Sequence, residues 1–356
     1  MAFFAVKSID LREFRGIREL EKPITLGSFN VLVGRNNAGK SAVLEALYLL
    51  SKPFRGYLTK PYGKDIYEFI SAMYGGSSAL VYGHEGKASI TYSFRNKVES
   101  NFERLVVGGV TRNDVRVSVS GMSIVLDTKG VIEVRVDGNG VVPDFESFKD
   151  FLGSVGVDSE TNELCLYIPN NTNAYNAIAR FVLEDEVWSW IEKRGLHSKV
   201  VKDLVEPSVS DKFTEVTIRR DRLCLRKEVS EDIGPLYVDV NSIGEGVKRA
   251  VLAYLAIEYL NPRIVLWDDI EVAAHPSLLE SMLRWLSESN RQVVLATHSI
   301  DVLYSLTQIR PRDARVIVLS KSSEDVVSHK EMDLARLSDY LDGGVDIRKL
   351  VEGFSS

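Results

Sequence analysis

Gly34-Arg35-Asn36-Asn37-Ala38-Gly39-Lys40-Ser41 is the stretch of the sequence that decides the fold. It fits G-x-x-x-x-G-K-[ST] at every fixed position, between an apolar run, residues 29–33, and a helix-forming run, residues 42–50. In such a strand, turn and helix, backbone N–H groups and the positive helix end surround a phosphate. A chance glycine-rich turn is the alternative, which the flanking runs disfavour.

The same pattern predicts which loop residues contact a nucleotide: Gly34, Asn36, Asn37, Ala38, Gly39, Lys40 and Ser41. Lys40 is expected to reach the outer phosphates, because its ammonium is the loop's mobile positive charge. Ser41 is expected to hold Mg²⁺ through its hydroxyl. The loop therefore predicts a nucleotide and a magnesium ion as ligands.

The composition is that of a globular protein. The 356 residues, 45% of them hydrophobic, suffice for one large domain or two. A net charge of -6 argues against a wholly basic nucleic-acid surface, although 44 Lys and Arg leave room for a local basic face. Cys165 and Cys224 lack metal-type spacing, and neither a secretion signal nor a membrane-length apolar run is visible. We therefore expect a cytoplasmic protein without a membrane partner.

A second set of motifs lies further along the chain. Asn241-Ser242-Ile243-Gly244-Glu245-Gly246 precedes a helical pattern, and alone it predicts only a helix cap and a tight turn. The apolar run 264–267 then ends in Asp268-Asp269, the pattern of a buried parallel strand that brings carboxylates to the edge of a sheet. Asp268 is expected to hold Mg²⁺ opposite Ser41. The next apolar strand ends at His298, which is placed to sense a γ-phosphate.

In this order, the motifs resemble those of the ABC ATPase superfamily. Residues 268–276, Asp-Asp-Ile-Glu-Val-Ala-Ala-His-Pro, are similar to the Asp-Glu-Pro-Glu-x-x-x-His-Pro run of the SMC, RecF and OLD-like predicted ATPases. The tail 344–348 is also similar to tails of that group. The resemblance implies an ATPase in which ATP joins two heads, so that Ser242 and Gly244 complete the site of the other head. It thus implies an ATP-dependent homodimer.

The N-terminal turn Phe14-Arg15-Gly16 also resembles a turn of these families. Their arginine lies near the nucleotide, which makes Arg15 a candidate contact; an ordinary solvated arginine is the equal alternative.

The resemblance implies an α/β fold, an ABC ATPase head with a mixed, parallel phosphate-loop core sheet, an antiparallel β lobe and a helical insertion. Residues 1–140 and 207–356 are expected to form the head, and residues 141–206 the insertion. Short alternating segments between residues 80 and 136 predict the antiparallel lobe, with a first strand at residues 80–82. One helix is predicted over residues 173–194 of the insertion. This pattern is too short for a long coiled coil.

Three departures from the family pattern affect the expected chemistry. Asp269 stands where the family has a water-orienting Glu, and its side chain is one methylene shorter, so hydrolysis is expected to be slow. Glu271 is the alternative catalytic carboxylate. No glutamine lies between the phosphate loop and Ser242, although the family uses one to link Mg²⁺ to the other lobe. Ile243 in place of a glycine favours the chromosome and defence branch over transporters.

Three classes of function remain open. The preferred class is an ATP-gated, dimerising ATPase in DNA repair or phage defence, with DNA or a separate nuclease chain as partner. The alternative is the nucleotide-binding subunit of an ABC transporter, which the missing glutamine disfavours. A GTPase or small-molecule kinase is the third, and the base-reading motif Asn-Lys-x-Asp fails at Glu99. The basic turn 219–222 is more simply a solvated hairpin turn than a DNA contact.

Overall fold

The computed structural model describes residues 4–137, 140–229 and 234–348. The strands are β1 (Val6–Phe14), β2 (Ile17–Leu20), β3 (Ile24–Thr25), β4 (Phe29–Gly34), β5 (Ala88–Val107), β6 (Val110–Asp127), β7 (Gly130–Val136), β8 (Gly140–Val142), β9 (Cys165–Ile168), β10 (Phe213–Arg219), β11 (Arg222–Glu228), β12 (Pro235–Asp239), β13 (Ile264–Asp268), β14 (Gln292–Thr297), β15 (Ala314–Lys321) and β16 (Val326–Met332). The helices are α1 (Lys40–Leu49), α2 (Ile66–Tyr74), α3 (Phe145–Ser154), α4 (Thr172–Val182), α5 (Asp185–Lys193), α6 (Leu196–Val200), α7 (Glu245–Leu260), α8 (Pro276–Glu288), α9 (Ile300–Ile309) and α10 (Leu334–Asp342).

Five parallel strands form the core, in the order β15-β4-β14-β13-β9, within a 13-stranded sheet. Every residue of β4 and β14 is buried. A strand covered on both faces needs such a continuous apolar run, which is why the sequence pattern identified these strands. Helix α1 packs against β4, β9, β13 and β14, and it is buried along nearly its whole length. The phosphate loop and α1 thus lie at the centre of the core.

The antiparallel part of the same sheet continues from β1. This strand pairs with β2, β3 and β5, and β5 pairs with β6. Strands β6, β7 and β8 pair in succession, and β8 pairs back to β5, so four strands close a ring. A separate three-stranded sheet contains β10, β11 and β12. The predicted combination of a parallel core, an antiparallel lobe and helices is confirmed.

The predicted strand pattern of the antiparallel lobe was wrong in detail. Strands β5 and β6 are long and continuous, with 20 and 18 residues, where the sequence suggested several short segments. The alternation is lost because the hairpin is exposed on both faces near residues 95–97, and the register shifts there. Residues 80–82, predicted as a strand, form none: Leu80 and Tyr82 belong to the 3-10 turns Ser77–Leu80 and Tyr82–His84, and Val81 between them makes only an isolated bridge with Phe14.

The helix predicted over residues 173–194 is two helices. Helix α4 ends at Val182 and α5 begins at Asp185, because Glu184 has an extended backbone with ψ 134°. Acidic side chains in the first turn of α5 favour a new start there, since they face its positive end. The longest helix of the described residues is α7, with 16 residues, so they contain no long coiled coil.

The segment 141–206 also contributes to the core. Its strand β9 pairs in parallel with β13 and forms the edge of the parallel core. Of the helices of the segment, α3 packs against β5, whereas α4, α5 and α6 all contact α7. The segment expected as an insertion is therefore attached to the sheet strand that neighbours Asp268.

Candidate functional site

The carboxyl ends of the parallel strands bring the predicted motifs together. In the strand register, Val33 of β4 is opposite Thr297 of β14, and Ala296 is opposite Asp268 of β13. The phosphate loop, the carboxylates and His298 follow these positions directly. Since parallel strands end at one edge of the sheet, the motifs face one another there.

The backbone of the phosphate loop requires glycine. Gly39 has φ 99°, a left-handed conformation that other residues adopt only with strain. A Cβ atom on Gly34 would lie 2.5 Å from the carbonyl oxygen of Leu319 on β15. Both glycines therefore let the loop turn tightly into α1, whose N–H groups point toward the loop.

Lys40 lies across the loop. Its Nζ donates to the carbonyl oxygens of Gly34 and Arg35, at 3.0 and 3.1 Å. Burial lowers the pKa of Lys40, while the carboxylate of Asp268 opposes this shift most strongly. The ammonium thus lies inside a carboxylate-lined site, where a phosphate would be its natural ligand.

Ser41 and Asp268, which the sequence predicts to hold Mg²⁺, are hydrogen-bonded to each other. The Ser41 hydroxyl donates to Oδ2 of Asp268 at 2.6 Å, and the Tyr167 hydroxyl donates to the same oxygen at 3.4 Å. Burial raises the pKa of Asp268, against the effect of the Ser41 hydrogen bond. The described residues contain no group of three His, Cys, Asp or Glu arranged for a metal. A hydroxyl and one carboxylate do fit Mg²⁺, which completes its shell with waters and phosphate oxygens.

Asp269 presents one free oxygen to the site. Its backbone has φ 51°, and its N–H donates to the carbonyl of Ala296 at 3.0 Å. Oδ2 accepts from the Asn170 amide at 3.3 Å. Oδ1 is buried without a hydrogen-bond partner and lies 3.9 Å from Nε2 of His298. A buried carboxylate oxygen without a partner is costly unless a ligand or water binds it.

Glu271 has a different place. Its Oε1 accepts from the backbone N–H groups of His298 and Ser299, at 2.8 and 3.1 Å. It does not line the cavity between the loop and the carboxylates. These contacts fix the turn between β14 and α9. The tail also reaches this turn, because Arg348 donates to the His298 carbonyl at 2.8 Å.

Arg15 lines the cavity but is held by its own neighbours. Its guanidinium pairs with Glu45 and lies 3.5 Å from the centroid of the Tyr74 ring. The Tyr74 hydroxyl donates to the other Glu45 oxygen at 2.7 Å. Sequence reasoning missed Glu45 and Tyr74. The one acidic residue in the apolar run 42–50 was the available signal, because a fully buried carboxylate needs a partner.

The cavity has a volume of about 320 Å³. The predicted residues that line it are Arg15, Asn36, Asn37, Ala38, Gly39, Lys40, Ser41, Asp268, Asp269 and His298. Gly34 contributes through the carbonyl that Lys40 contacts. The volume and polar lining suit a polyphosphate better than an apolar ligand.

Ser242 and Gly244 do not line this cavity. Ser242 ends a 3-10 turn, Val240–Ser242, and Gly244, with φ 136°, directly precedes α7. Both residues are exposed. The Ser-x-Gly segment therefore presents its hydroxyl and the start of a long helix to the outside of the chain.

A phosphate loop, a hydroxyl and carboxylate pair for Mg²⁺ and a carboxylate with a free oxygen define the class of the P-loop nucleoside triphosphatases. Comparisons with known proteins narrow the class. Residues 5–102 match the family described as "AAA ATPase domain", and residues 160–304 match "AAA domain, putative AbiEii toxin, Type IV TA system".

Two uncharacterized proteins of Methanocaldococcus jannaschii are similar in sequence. MJECL11 is 31% identical over 96 residues, which are 25% of this chain and 84% of that protein. MJECL10 is 46% identical over 52 residues, 15% of this chain, and the match spans only 23% of MJECL10. The chain belongs to the same family as MJECL11, and its matches to two ATPase domain models assign it to the P-loop ATPases.

Solved structures of SMC heads share the fold. The Pyrococcus furiosus Smc head domain bound to the C-terminal domain of ScpA aligns with a TM-score of 0.56 and 11% identity, over 96% of this chain and 99% of that one. The Thermotoga maritima SMC head domain aligns with a TM-score of 0.51 and 15% identity, over 92% and 99%. At these identities the likeness is one of fold.

Among the helices of the described residues, none combines the length and the apolar character that a membrane span requires.

Proposed function

We propose that the protein is an ATPase head that binds ATP and Mg²⁺, dimerises on ATP and hydrolyses it slowly. The observation that carries the proposal is the separation of two half-sites in one chain. Lys40, Ser41 and Asp268 face the cavity, whereas Ser242 and Gly244 lie outside it and are exposed. A nucleotide held in the cavity of one head would then meet the Ser-x-Gly segment of another.

The charges support ATP in the cavity. Lys40 would bind the outer phosphates, and the loop N–H groups before α1 would bind the others. Mg²⁺ between Ser41 and Asp268 would neutralise charge on the phosphates. Arg15 is a further candidate contact of the nucleotide, although its ion pair with Glu45 partly neutralises its charge.

Asp269 is the best candidate for orienting the attacking water. Its Oδ1 lies at the cavity without a hydrogen-bond partner, and His298 stands next to it. Glu271 uses one oxygen to hold the turn before α9, and its other oxygen also lacks a hydrogen-bond partner, but Glu271 does not line the cavity. The shorter side chain of Asp269 is the reason that we expect slow turnover.

The second half-site supports dimerisation. Helix α7 is long enough for its first N–H groups to attract a phosphate, and the exposed Ser242 hydroxyl lies beside them. We propose that this segment binds the γ-phosphate of ATP in the other head. DNA or a separate nuclease or effector chain is the proposed partner of this dimer, in DNA repair or phage defence. The ScpA domain bound to the Pyrococcus furiosus Smc head offers a parallel for a protein partner.

The decisive experiment measures the size of the Asp269→Asn protein by light scattering, with MgATP, with MgADP and without nucleotide. Because the variant should bind ATP but not hydrolyse it, we expect a dimer with MgATP only. Asp114→Asn is the matched control, since Asp114 has φ 52° and lies on the exposed β5–β6 hairpin. A monomer with ATP demonstrably bound contradicts the proposal.

A further inference from the structure

Asn170 lies between β9 and α4, and the proposed function assigns it no role. It follows β9, the edge strand of the parallel core, by two residues, and the register pairs the end of β9 with Trp267. Beyond Asn170 the chain enters α4, α5 and α6, which lead toward α7. Asn170 thus lies between the edge strand of the core and the helices that contact α7, the helix after the Ser-x-Gly segment.

The side chain of Asn170 has a partner at each end. Its Nδ2 donates to Oδ2 of Asp269 at 3.3 Å, and its Oδ1 accepts from Nη1 of Arg249 at 3.0 Å. Only one orientation of the amide fits, because a carboxylate can only accept and a guanidinium can only donate. The amide therefore joins Asp269 to Arg249.

Arg249 is itself held on two further sides. Its Nε donates to Glu245 in the first turn of α7 at 3.1 Å, and its guanidinium lies 4.7 Å from the centroid of the Tyr175 ring on α4. Its side chain is 13% exposed, so it has little freedom to leave this position. These contacts fix the planar guanidinium in one orientation toward Asn170.

We propose that Asn170 and Arg249 are positioning residues for Asp269 and that they connect this carboxylate to the Ser-x-Gly segment of the same chain. By holding Oδ2, Asn170 leaves Oδ1 turned to the cavity. Arg249 anchors the first turn of α7. Binding of another head's ATP to Ser242 and Gly244 therefore changes the position of the Asp269 carboxylate. The inference rests on the proposed function and adds the route between the two half-sites.

The first test separates the two ends of the Asn170 amide. Asn170→Asp keeps an acceptor for Arg249 but replaces the donor to Asp269 with a second carboxylate, which repels Oδ2 of Asp269 instead of holding it. We expect kcat to fall about tenfold, because a misplaced catalytic group loses orientation. The Kd for ATP, the ATP-dependent dimer and the melting temperature should stay near wild type. If Asn170 only anchors Arg249 and does not position Asp269, the Asn170→Asp protein will have the wild-type kcat. That result overturns the proposal.

The second test is a double-mutant cycle. Asn170→Ala and Arg249→Met should each lower kcat, and the double variant should be no slower than the slower single variant, because both changes break one connection. Lys248→Met is the matched control: Lys248 pairs with the same Glu245 at 3.5 Å but has no contact with Asn170 among the described hydrogen bonds. Its kcat should be unchanged. If the losses of kcat in the two single variants multiply in the double variant, the proposal is overturned.

A third measurement needs neither dimerisation nor hydrolysis. In a Ser242→Arg chain kept monomeric, hydrogen exchange of residues 245–250 is compared with MgATP and without nucleotide. The connection predicts that MgATP changes the hydrogen exchange of these residues at the start of α7, and that Asn170→Ala abolishes the change. If MgATP has the same effect on exchange in the Ser242→Arg chain with and without Asn170→Ala, the connection is overturned, even if the wild-type protein shows no turnover. If the wild-type protein fails to dimerise, that result counts against the proposed function alone.

Discussion

The two proposed half-sites of this protein differ in how much of their surroundings the chain itself supplies. At the phosphate-loop edge, Lys40, Ser41 and Asp268 all have hydrogen-bond partners within the chain, and the groups are largely enclosed. Ser242 and Gly244 are exposed at the start of α7. A built, enclosed site retains its function in a monomer, while an exposed half-site requires a second surface. Substitutions at the first should therefore affect ATP binding, and substitutions at the second should affect association.

The largest effect is expected at Lys40. Lys40→Ala removes the positive charge that faces the outer phosphates, so ATP binding or turnover should fall by about 100-fold or more. The fold should persist, because the loop keeps its glycines. ATP binding is measured by calorimetry and folding by circular dichroism, with Lys97→Ala on the exposed β5–β6 hairpin as control. Normal turnover in Lys40→Ala contradicts the assignment of the cavity.

Ser242→Arg should separate binding from association. A bulky cation in the exposed segment should block the approach of another head's nucleotide, while the monomer keeps its Kd for ATP. Light scattering with MgATP, in the Asp269→Asn background, should show a monomer. Ser118→Arg, an equally exposed change on β6, should leave the dimer intact. If Ser242→Arg instead abolishes ATP binding by the monomer, the two half-sites are not separate.

The next comparison lies inside the enclosed site. Asp269→Asn should lower kcat by about 100-fold, because an amide cannot orient or deprotonate water as a carboxylate does. Glu271→Gln keeps an oxygen that can accept from the N–H groups of His298 and Ser299, so its kcat should change less than about threefold. Steady-state ATPase assays at saturating MgATP measure both. The reverse pattern identifies Glu271 as the catalytic carboxylate.

The sequence could predict that the residues of the enclosed site lie together because its signals are local. The phosphate loop is one contiguous motif, and Asp268 and His298 each follow an apolar strand, so their meeting at one sheet edge follows from parallel pairing. The motif alone could not decide between Asp269 and Glu271. That choice depends on where the backbone places each side chain: Asp269, with φ 51°, lines the cavity, and Glu271 does not.

The residues that the sequence did not reveal act through distant contacts. Asn170 is 99 positions from Asp269, and Tyr167 is 101 positions from Asp268. Both lie at β9, a short strand within a segment that was read as helical insertion, so nothing marked it as part of the sheet.

The smallest effect is expected at the tail. Arg348 donates to the His298 carbonyl at 2.8 Å, and Asp346 holds its guanidinium through two bonds of 2.8 Å. This contact fixes the backbone of His298 without reaching the cavity, since Arg348 does not line it. Arg348→Ala should therefore lower kcat about fivefold, the loss of roughly one hydrogen bond, with the Kd for ATP unchanged.

A further comparison shows whether Arg348 acts through His298. If it does, Arg348→Ala should slow the His298→Ala protein no further, because the side chain that it positions is already gone. Arg336→Ala is the control, since Arg336 stacks on Tyr340 in α10 and its exposed guanidinium is not part of the cavity. Its kcat should match wild type in both backgrounds. A full fivefold loss for Arg348→Ala in the His298→Ala background means that the tail supports the enclosed site by another route, through the start of α9 rather than through the histidine.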